Sequence, residues 1–349
     1  MTGAGVAGPD RPADDAATLE DVAVAYRWLL GREAESTEVL AHHLALAPTR
    51  EALRRRFLDS AEFRAGVPPS TRPPVVPLDA APIEVETEAD PARLAWLLAE
   101  TGRYWSRIGE EAPHWSVLTS DIFRPERIAE TEAQFHATGA QDLALIRAMM
   151  RRCGLPPRRL IRKVCEFGCG LGRVTSHLAR AFPEVVGLDI SRAHLAGAAR
   201  WLDAEGIGNV TLRQVTAENL HPAQGYDLWF SRIVLQHNPP PVMLAILRAA
   251  FRGLAPGGVA IFQVPTYAVG YRFLLDEYLG GPIGQNMEMH VLPQPALFGL
   301  AAAEGVELLE TRDDTAVIVG RPDLWVSNMF CFRRRPDLRP GLGTVSGLG

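Results

Sequence analysis

Glu166, Gly168, Gly170, Gly172 and Asp189 are the residues of this chain whose types and spacing could do chemistry. The stretch Val164-Cys165-Glu166-Phe167-Gly168-Cys169-Gly170-Leu171-Gly172 runs an apolar strand into a turn with glycine at three alternate positions. Arg173 to Arg180 then reads as a helix. A strand, turn and helix of this kind bring bare backbone close to a ligand. About 20 residues after the first glycine, Val185-Val186-Gly187-Leu188-Asp189 forms a second apolar run ending in an acid, the place where dinucleotide folds hold a ribose diol. The glycines are spaced G-x-G-x-G with an acid two residues ahead, not the G-x-G-x-x-G that sets a pyrophosphate on a helix N-terminus. Glu166 therefore points to a ligand that carries an ammonium group.

The elements that follow fit the same plan. Val210 to Val215 reads as a third strand with Ala217-Glu218 behind it, and Tyr226 to Ser231 as a fourth. Leu254-Ala255-Pro256-Gly257-Gly258 reads as a turn before a fifth strand over Val259 to Val264. Together, Glu166-x-Gly168-x-Gly170-x-Gly172, Asp189 and these strands resemble the class I S-adenosylmethionine-dependent methyltransferases over residues 160 to 265. The resemblance implies an α/β, Rossmann-like, doubly wound sheet of seven strands with strand seven antiparallel. Strand six is then Val306 to Thr311 and strand seven Leu324 to Arg333. It also implies S-adenosylmethionine as cofactor. Glu166 and the backbone of Gly168, Cys169, Gly170 and Gly172 would hold its methionine part. Asp189 with Ile190 would take the ribose, Ala217 and Glu218 the adenine, and Ser231 would stand at the methyl-transfer face.

Composition bounds the rest. Hydrophobic content of 47% with 22% charged residues fits a globular protein with a sizeable core. A net charge of −5 argues against a nucleic-acid binder, although Arg151, Arg152, Arg158, Arg159, Arg162 and Lys163 form a local basic patch. No apolar run is long enough to span a bilayer, and Met1 to Asp15 lacks the regions of a signal peptide, so the expected location is cytoplasmic. Lys163 is the only lysine, which with abundant Ala, Gly and Pro suggests a GC-rich bacterial source. Cys153, Cys165, Cys169 and Cys331 show no C-x-x-C spacing and read as reduced thiols.

Residues 1–16 are small and polar and are expected to be disordered. Residues 17–65 read as a small all-helical domain. Thr18 caps its first helix and Gly31 stops it, a second helix covers Thr37 to Leu46, and Thr49 caps a third. Tyr26-Arg27-Trp28-Leu29-Leu30-Gly31-Arg32-Glu33 and Phe57-Leu58-Asp59-Ser60-Ala61-Glu62-Phe63 resemble a bacterial domain of unknown function appended to enzymes of surface-glycan biosynthesis, which implies a docking role toward a protein partner. His42 and His43 are adjacent on a helix and face different ways, which argues against a metal pair. Residues 66–88 read as a Pro-rich linker, 89–160 as a helical cap, 161–335 as the methyltransferase domain with a lid insertion at 265–293, and 336–349 as a loose tail.

For an alcohol acceptor, a histidine near the methyl group is the natural base. His237 follows the fourth strand and is the first candidate, His290 in the lid the second, and His114 the third. The aromatics of Arg103-Tyr104-Trp105 and His114-Trp115-Ser116-Val117-Leu118 could pack against a sulfonium or join the cap to the sheet. Asn238-Pro239-Pro240-Pro241 lies past the strand end and lacks an aromatic, so it reads as a helix start rather than as an amino-methyltransferase signature. No clustered Asp/His set in the sequence suggests a metal. The leading expectation is O-methylation of a sugar in a surface glycan or glycosylated metabolite. The alternatives are methylation of another small metabolite, or a non-catalytic cofactor-binding interaction protein.

Overall fold

The computed structural model describes residues 15–66, 76, 79–155, 160–220, 223–284, 286–314 and 324–336. Of the disorder expected for residues 1–16, residues 1–14 lie outside these residues, as do the tail from residue 337, most of the Pro-rich stretch and residues 158–159 of the basic patch; Asp15 and Ala16 are ordered, paired with Arg50 and Thr49. The chain divides into two compact units, Met1–Pro74 and Val75–Gly349.

In the first unit, Thr18 and Asp21 form a reciprocal capping box that starts helix α1 (Leu19–Ala25). One wider π turn (Tyr26–Leu30) continues it, and Gly31 ends it in the left-handed region at φ 69°. Helices α2 (Thr37–Leu46) and α3 (Arg50–Leu58) start on Ser36 and Thr49. A further helix, α4 (Ala61–Gly66), lies beyond what the sequence pattern indicates. Val22, Tyr26, Leu53 and Phe57 form the core. The half-buried His43 packs beside it with Nε2 3.1 Å from the Tyr26 hydroxyl and Nδ1 accepting from Arg56, so it is a structural histidine.

The second unit opens with a short strand β1 (Glu84–Val85), followed by α5 (Pro91–Glu111), α6 (Pro113–Val117), α7 (Ile128–Ala137) and α8 (Gly139–Arg152). The sheet region then runs β2 (Lys163–Phe167), α9 (Thr175–Ala181), β3 (Glu184–Asp189), α10 (Arg192–Ala204), β4 (Val210–Gln214), β5 (Tyr226–Ser231), α11 (Pro240–Gly253) and β6 (Leu254–Ala268). It closes with β7 (Arg272–Phe273), α12 (Leu275–Leu279), α13 (Gln294–Ala303), β8 (Val306–Asp313) and β9 (Trp325–Arg334). Seven strands form one sheet in the order β4-β3-β2-β5-β6-β9-β8. β2 to β6 are parallel to their sheet neighbours among themselves, and β9 runs antiparallel to both β6 and β8.

Side chains alternate between two buried layers, as strands covered on both faces require. Cys165, Trp229, Phe262 and Phe332 share one core with Val242, Ile246 and Phe251 of α11. Val164, Leu228, Ile261 and Cys331 face the other, against Ile146 and Met149 of α8 and Leu178 of α9. All four cysteines are free thiols. No helix among the described residues is long and apolar enough to cross a membrane.

Three expectations need correction. The turn expected over Leu254–Gly258 is a bulge inside β6: Tyr226 pairs with Leu254 but Leu228 pairs with Val259, so residues 255–258 loop out against one partner. The lid expected from residue 265 starts later, because β6 stays paired with β9 through Ala268. The end of the expected linker is not free chain either. Glu84 and Val85 pair in parallel with Arg272 and Phe273, and Glu86 Oε2 accepts from Leu275 N at 2.6 Å.

Phe262 is fully buried and stacks on Phe332 with centroids 5.8 Å apart. Phe262→Ala is expected to destabilise the second unit by about 3–5 kcal/mol, measured by denaturant unfolding. A cost under 1 kcal/mol would contradict this packing.

Candidate active site

The turn after β2 is shaped by its glycines. Gly168, Gly170 and Gly172 all take positive φ, at 74°, 52° and 79°. A Cβ on Gly168 would meet Val234 Cγ2 at 2.4 Å, and one on Gly170 would meet Val117 Cγ2 at 2.9 Å. The first two glycines are thus required twice over, by conformation and by close approach. Gly168 N and Cys169 N donate to Leu188 O at 2.7 and 2.9 Å, which ties the turn to the end of β3.

Asp189 completes that tie. One carboxylate oxygen accepts from Gly170 N and the other from Ser191 N, both at 2.8 Å. Ser191 caps α10 through its hydroxyl, so Asp189 is not itself the cap. Each Asp189 oxygen keeps a further lone pair for a ligand. Ahead of the turn, in β2, Glu166 is buried and its Oε2 accepts from the Thr175 hydroxyl at 2.6 Å. Burial pushes its carboxyl up from 4.5 to about 8, against the lowering pull of Thr175 and the Arg173 guanidinium.

These groups line a cavity of about 850 Å³, part of it open to solvent. Its floor holds Glu166, Gly168, Cys169, Gly170, Asp189 and Ile190; Thr101, Trp105, Ser116 and Val117 of the helical cap close it from above. Its remaining wall carries two arginines. Asp142 of α8 bridges them, with Oδ2 2.7 Å from Arg173 Nη2 and Oδ1 2.8 Å from Arg232 Nη1. Asp314 takes the other side of Arg232, at 3.0 and 3.3 Å. Ile233, next along, sits at φ 60°, the one described non-glycine residue in the left-handed region. Its N–H donates to Gln263 Oε1 at 2.9 Å.

That strained loop leads into a 3₁₀ turn (Leu235–His237) and places His237 on the cavity wall. His237 Nδ1 lies 2.9 Å from the backbone oxygen of Glu288. A carbonyl only accepts, so Nδ1 carries the proton and Nε2 keeps a lone pair. Burial pushes the imidazole down to about 4, so the ring is neutral at physiological pH. The Trp105 ring lies beside it, with centroids 5.3 Å apart. Thr101, Trp105 and His237 also line a second, smaller hollow of about 320 Å³ with Glu100, Tyr104, Tyr278 and Glu288. His237 therefore stands in the wall shared by two adjoining spaces.

His290 lies behind this wall and does not line the first cavity. Its ring contacts the Tyr271 hydroxyl through Nδ1 and Glu288 Oε2 through Nε2, each at 3.0 Å. Tyr278 donates to the same Glu288 oxygen at 2.5 Å. His290 thus steadies the residue whose backbone steadies His237. His114 lines a different cavity altogether. Ser231 is buried and donates to Phe167 O at 3.0 Å, beneath the cavity. Gly172 is turned away, onto Ala198 of α10. Ala217 and Glu218 line an exposed groove beside Arg248 and Arg252 and are not brought into the cavity.

Residues 164–258 match the family model described as a methyltransferase domain, and they contain the turn, Asp189 and His237. This segment is a methyltransferase domain. The chain is 39% identical over 115 residues to a trans-aconitate 2-methyltransferase of Deinococcus radiodurans, covering 32% of this chain and 41% of that one. It is 35% identical over 136 residues to a ubiquinone biosynthesis O-methyltransferase of Pseudomonas fluorescens, covering 38% of this chain and 54% of the relative. The chain thus spans about half or less of the length of these curated relatives. Among solved structures, magnesium protoporphyrin IX methyltransferase from Synechocystis PCC 6803 with bound SAH aligns at TM-score 0.47 and 17% identity, over 68% of this chain and 99% of that one.

Several residues on the cavity of the methyltransferase domain carry no sequence signal strong enough to find them. Arg173 and Arg232 become site residues only through Asp142, which lies on α8 before the domain begins, and Asp314, which lies after it ends. Thr101 comes from mid-helix α5. The positive φ at Gly168 makes a direct test possible. Gly168→Ala is expected to destabilise the second unit by at least about 1 kcal/mol in thermal unfolding, because φ 74° and Val234 both oppose the methyl group. Unchanged stability would contradict the turn described.

Proposed function

We propose that this protein transfers a methyl group from S-adenosylmethionine to an oxygen of a small acceptor. The reading rests on one observation above all: the cavity of the methyltransferase domain is lined by a buried carboxyl, Glu166, and by two guanidinium groups, of which Arg173 acts on that carboxyl. A carboxyl held near 8 by burial is relieved by an incoming cation. Opposite charges at one end of a cavity suit the zwitterionic amino-acid end of the cofactor. Glu166 would take its ammonium and Arg173 its carboxylate, with the free lone pairs of Asp189 open to the ribose hydroxyls. Gly168 and Gly170 leave room that a Cβ would fill. When bound, the cofactor supplies an electrophilic methyl group on a sulfonium.

The acceptor belongs in the second hollow, across His237. The Nε2 lone pair would accept the acceptor hydroxyl proton, while the Glu288 carbonyl holds the ring in that tautomer. The aromatic rings of Tyr104, Trp105 and Tyr278, with the carboxyl groups of Glu100 and Glu288, suit a neutral polyhydroxylated ring such as a sugar. Two carboxyl groups oppose a polyanionic acceptor such as the one named for the trans-aconitate methyltransferases. The first unit supports a docking role toward a protein partner: it has its own core and leaves Trp28 84% exposed.

Two outcomes test this. In calorimetric titrations between pH 6 and 9, S-adenosylmethionine affinity should rise about tenfold per pH unit up to about 8 and then level. The sign follows because the raised carboxyl holds a proton that must leave when an ammonium docks. In Glu166→Gln the profile should flatten and affinity fall by about 10–100-fold; a wild-type affinity independent of pH from 6 to 8 would count against the ammonium assignment. With labelled cofactor and a panel of sugars and sugar phosphates, His237→Ala should lower kcat by about 10²–10⁴-fold. Transfer to sugars at the wild-type rate in that variant would remove His237 from the reaction.

A further inference from the structure

We propose that His114, Glu132 and His136 form a divalent-metal site of the zinc class that fastens α6 to α7, apart from the reacting centre. Glu132 and His136 are one turn apart on α7 and so share a face. His114, from the first turn of α6, meets them from the other side. One potential ligand atom from each lies within 4.8 Å of the other two. His114 Nε2 is already 3.5 Å from Glu132 Oε1. Tetrahedral zinc with bonds of about 2.0–2.1 Å separates its ligand atoms by about 3.3–3.4 Å. One edge of the site is therefore set, and the half-exposed Glu132 side chain is free to turn and close the rest.

One feature points to a missing ligand here. His136 is buried, and among the described residues its Nδ1 has no hydrogen-bond partner; the ring of Trp201 stacks on it with centroids 3.6 Å apart. Unpaired buried polar atoms are rare and call for an occupant. Both side chains line one cavity with His114 and Glu132. The two imidazoles and one carboxylate suit zinc, nickel or copper rather than magnesium or calcium. They also leave a coordination position for water, as in other sites with three protein ligands. The fully buried Phe135 packs edge-on against both imidazoles, at 4.9 and 5.0 Å, and supplies an apolar wall.

None of the three lines the cavity assigned to the cofactor, so the ion takes no part in methyl transfer. Its effect is on the roof. α6 carries Ser116 and Val117 into that cavity, and Val117 stands against Gly170. An ion joining α6 to α7 holds this roof in place.

The test uses the full chain, stripped with a chelator and titrated with Co²⁺ followed by visible absorption, then with Zn²⁺ by calorimetry. One ion is expected, with the strong d–d bands of a four- or five-coordinate nitrogen and oxygen site that Zn²⁺ abolishes. His114→Ala and Glu132→Gln should each weaken Zn²⁺ binding by about 100-fold or more, and should lose the rise in Tm that Zn²⁺ gives the wild type. His42→Ala should change neither. The wild-type cobalt spectrum needs no variant to fold: a spectrum of aqueous Co²⁺, or no binding at micromolar Zn²⁺, overturns the proposal. Folded variants that bind Zn²⁺ as the wild type does overturn it equally.

Discussion

A single carboxylate holds the two halves of the site floor together. Asp189, at the end of β3, accepts Gly170 N from the turn after β2 and Ser191 N from the start of α10, both at 2.8 Å. Hydrogen bonds to a charged group contribute about 1.5–3 kcal/mol each, and here both donors are backbone groups buried away from water. The turn can then stay in a conformation that favours glycine and present its bare backbone to the cavity. Everything above that floor, the cap helices included, rests on a surface whose shape Asp189 fixes.

The opposite wall is held by charge rather than by backbone. Arg173, Asp142, Arg232 and Asp314 form a chain of two cations and two anions, all largely buried. Removing one member of such a chain leaves a buried charge without its partner, a cost of about 3–5 kcal/mol. Arg232 is followed directly by the strained Ile233, and that loop delivers His237 to the wall between the two hollows. His237 is in turn held from behind by the lid, through Glu288 and His290. The position of one imidazole thus depends on contacts spread from residue 142 to residue 314.

How much of this the sequence carried follows from which interactions are local. The sheet was legible because buried strands read as short apolar runs ended by Gly or Asp: β5 matches its expected bounds, and β2, β3, β4, β8 and β9 start or end within two residues of theirs. Glu166, Gly168, Gly170 and Asp189 were legible because they lie in one strand–turn–helix–strand unit, where spacing along the chain is spacing in space. The arginine–aspartate chain was not, since Asp142 and Asp314 lie far from the arginines in sequence. His114, Glu132 and His136 were hidden for the same reason, as residue types show no cluster until α6 meets α7. Local spacing does not fix every position. Glu218 follows the third core strand closely, and the structure sets it in an exposed groove. Pro-Gly-Gly at 256–258 signals a turn, but strand pairing on both sides turns it into a bulge.

A crystal structure of the full chain with S-adenosylhomocysteine bound tests these assignments most directly. The ligand's amino-acid end is expected between Glu166 and Arg173, its ribose hydroxyls on Asp189, and its sulfur directed toward His237 and the hollow beyond. A ligand in another cavity, or one in this cavity with its amino group away from Glu166, would contradict them.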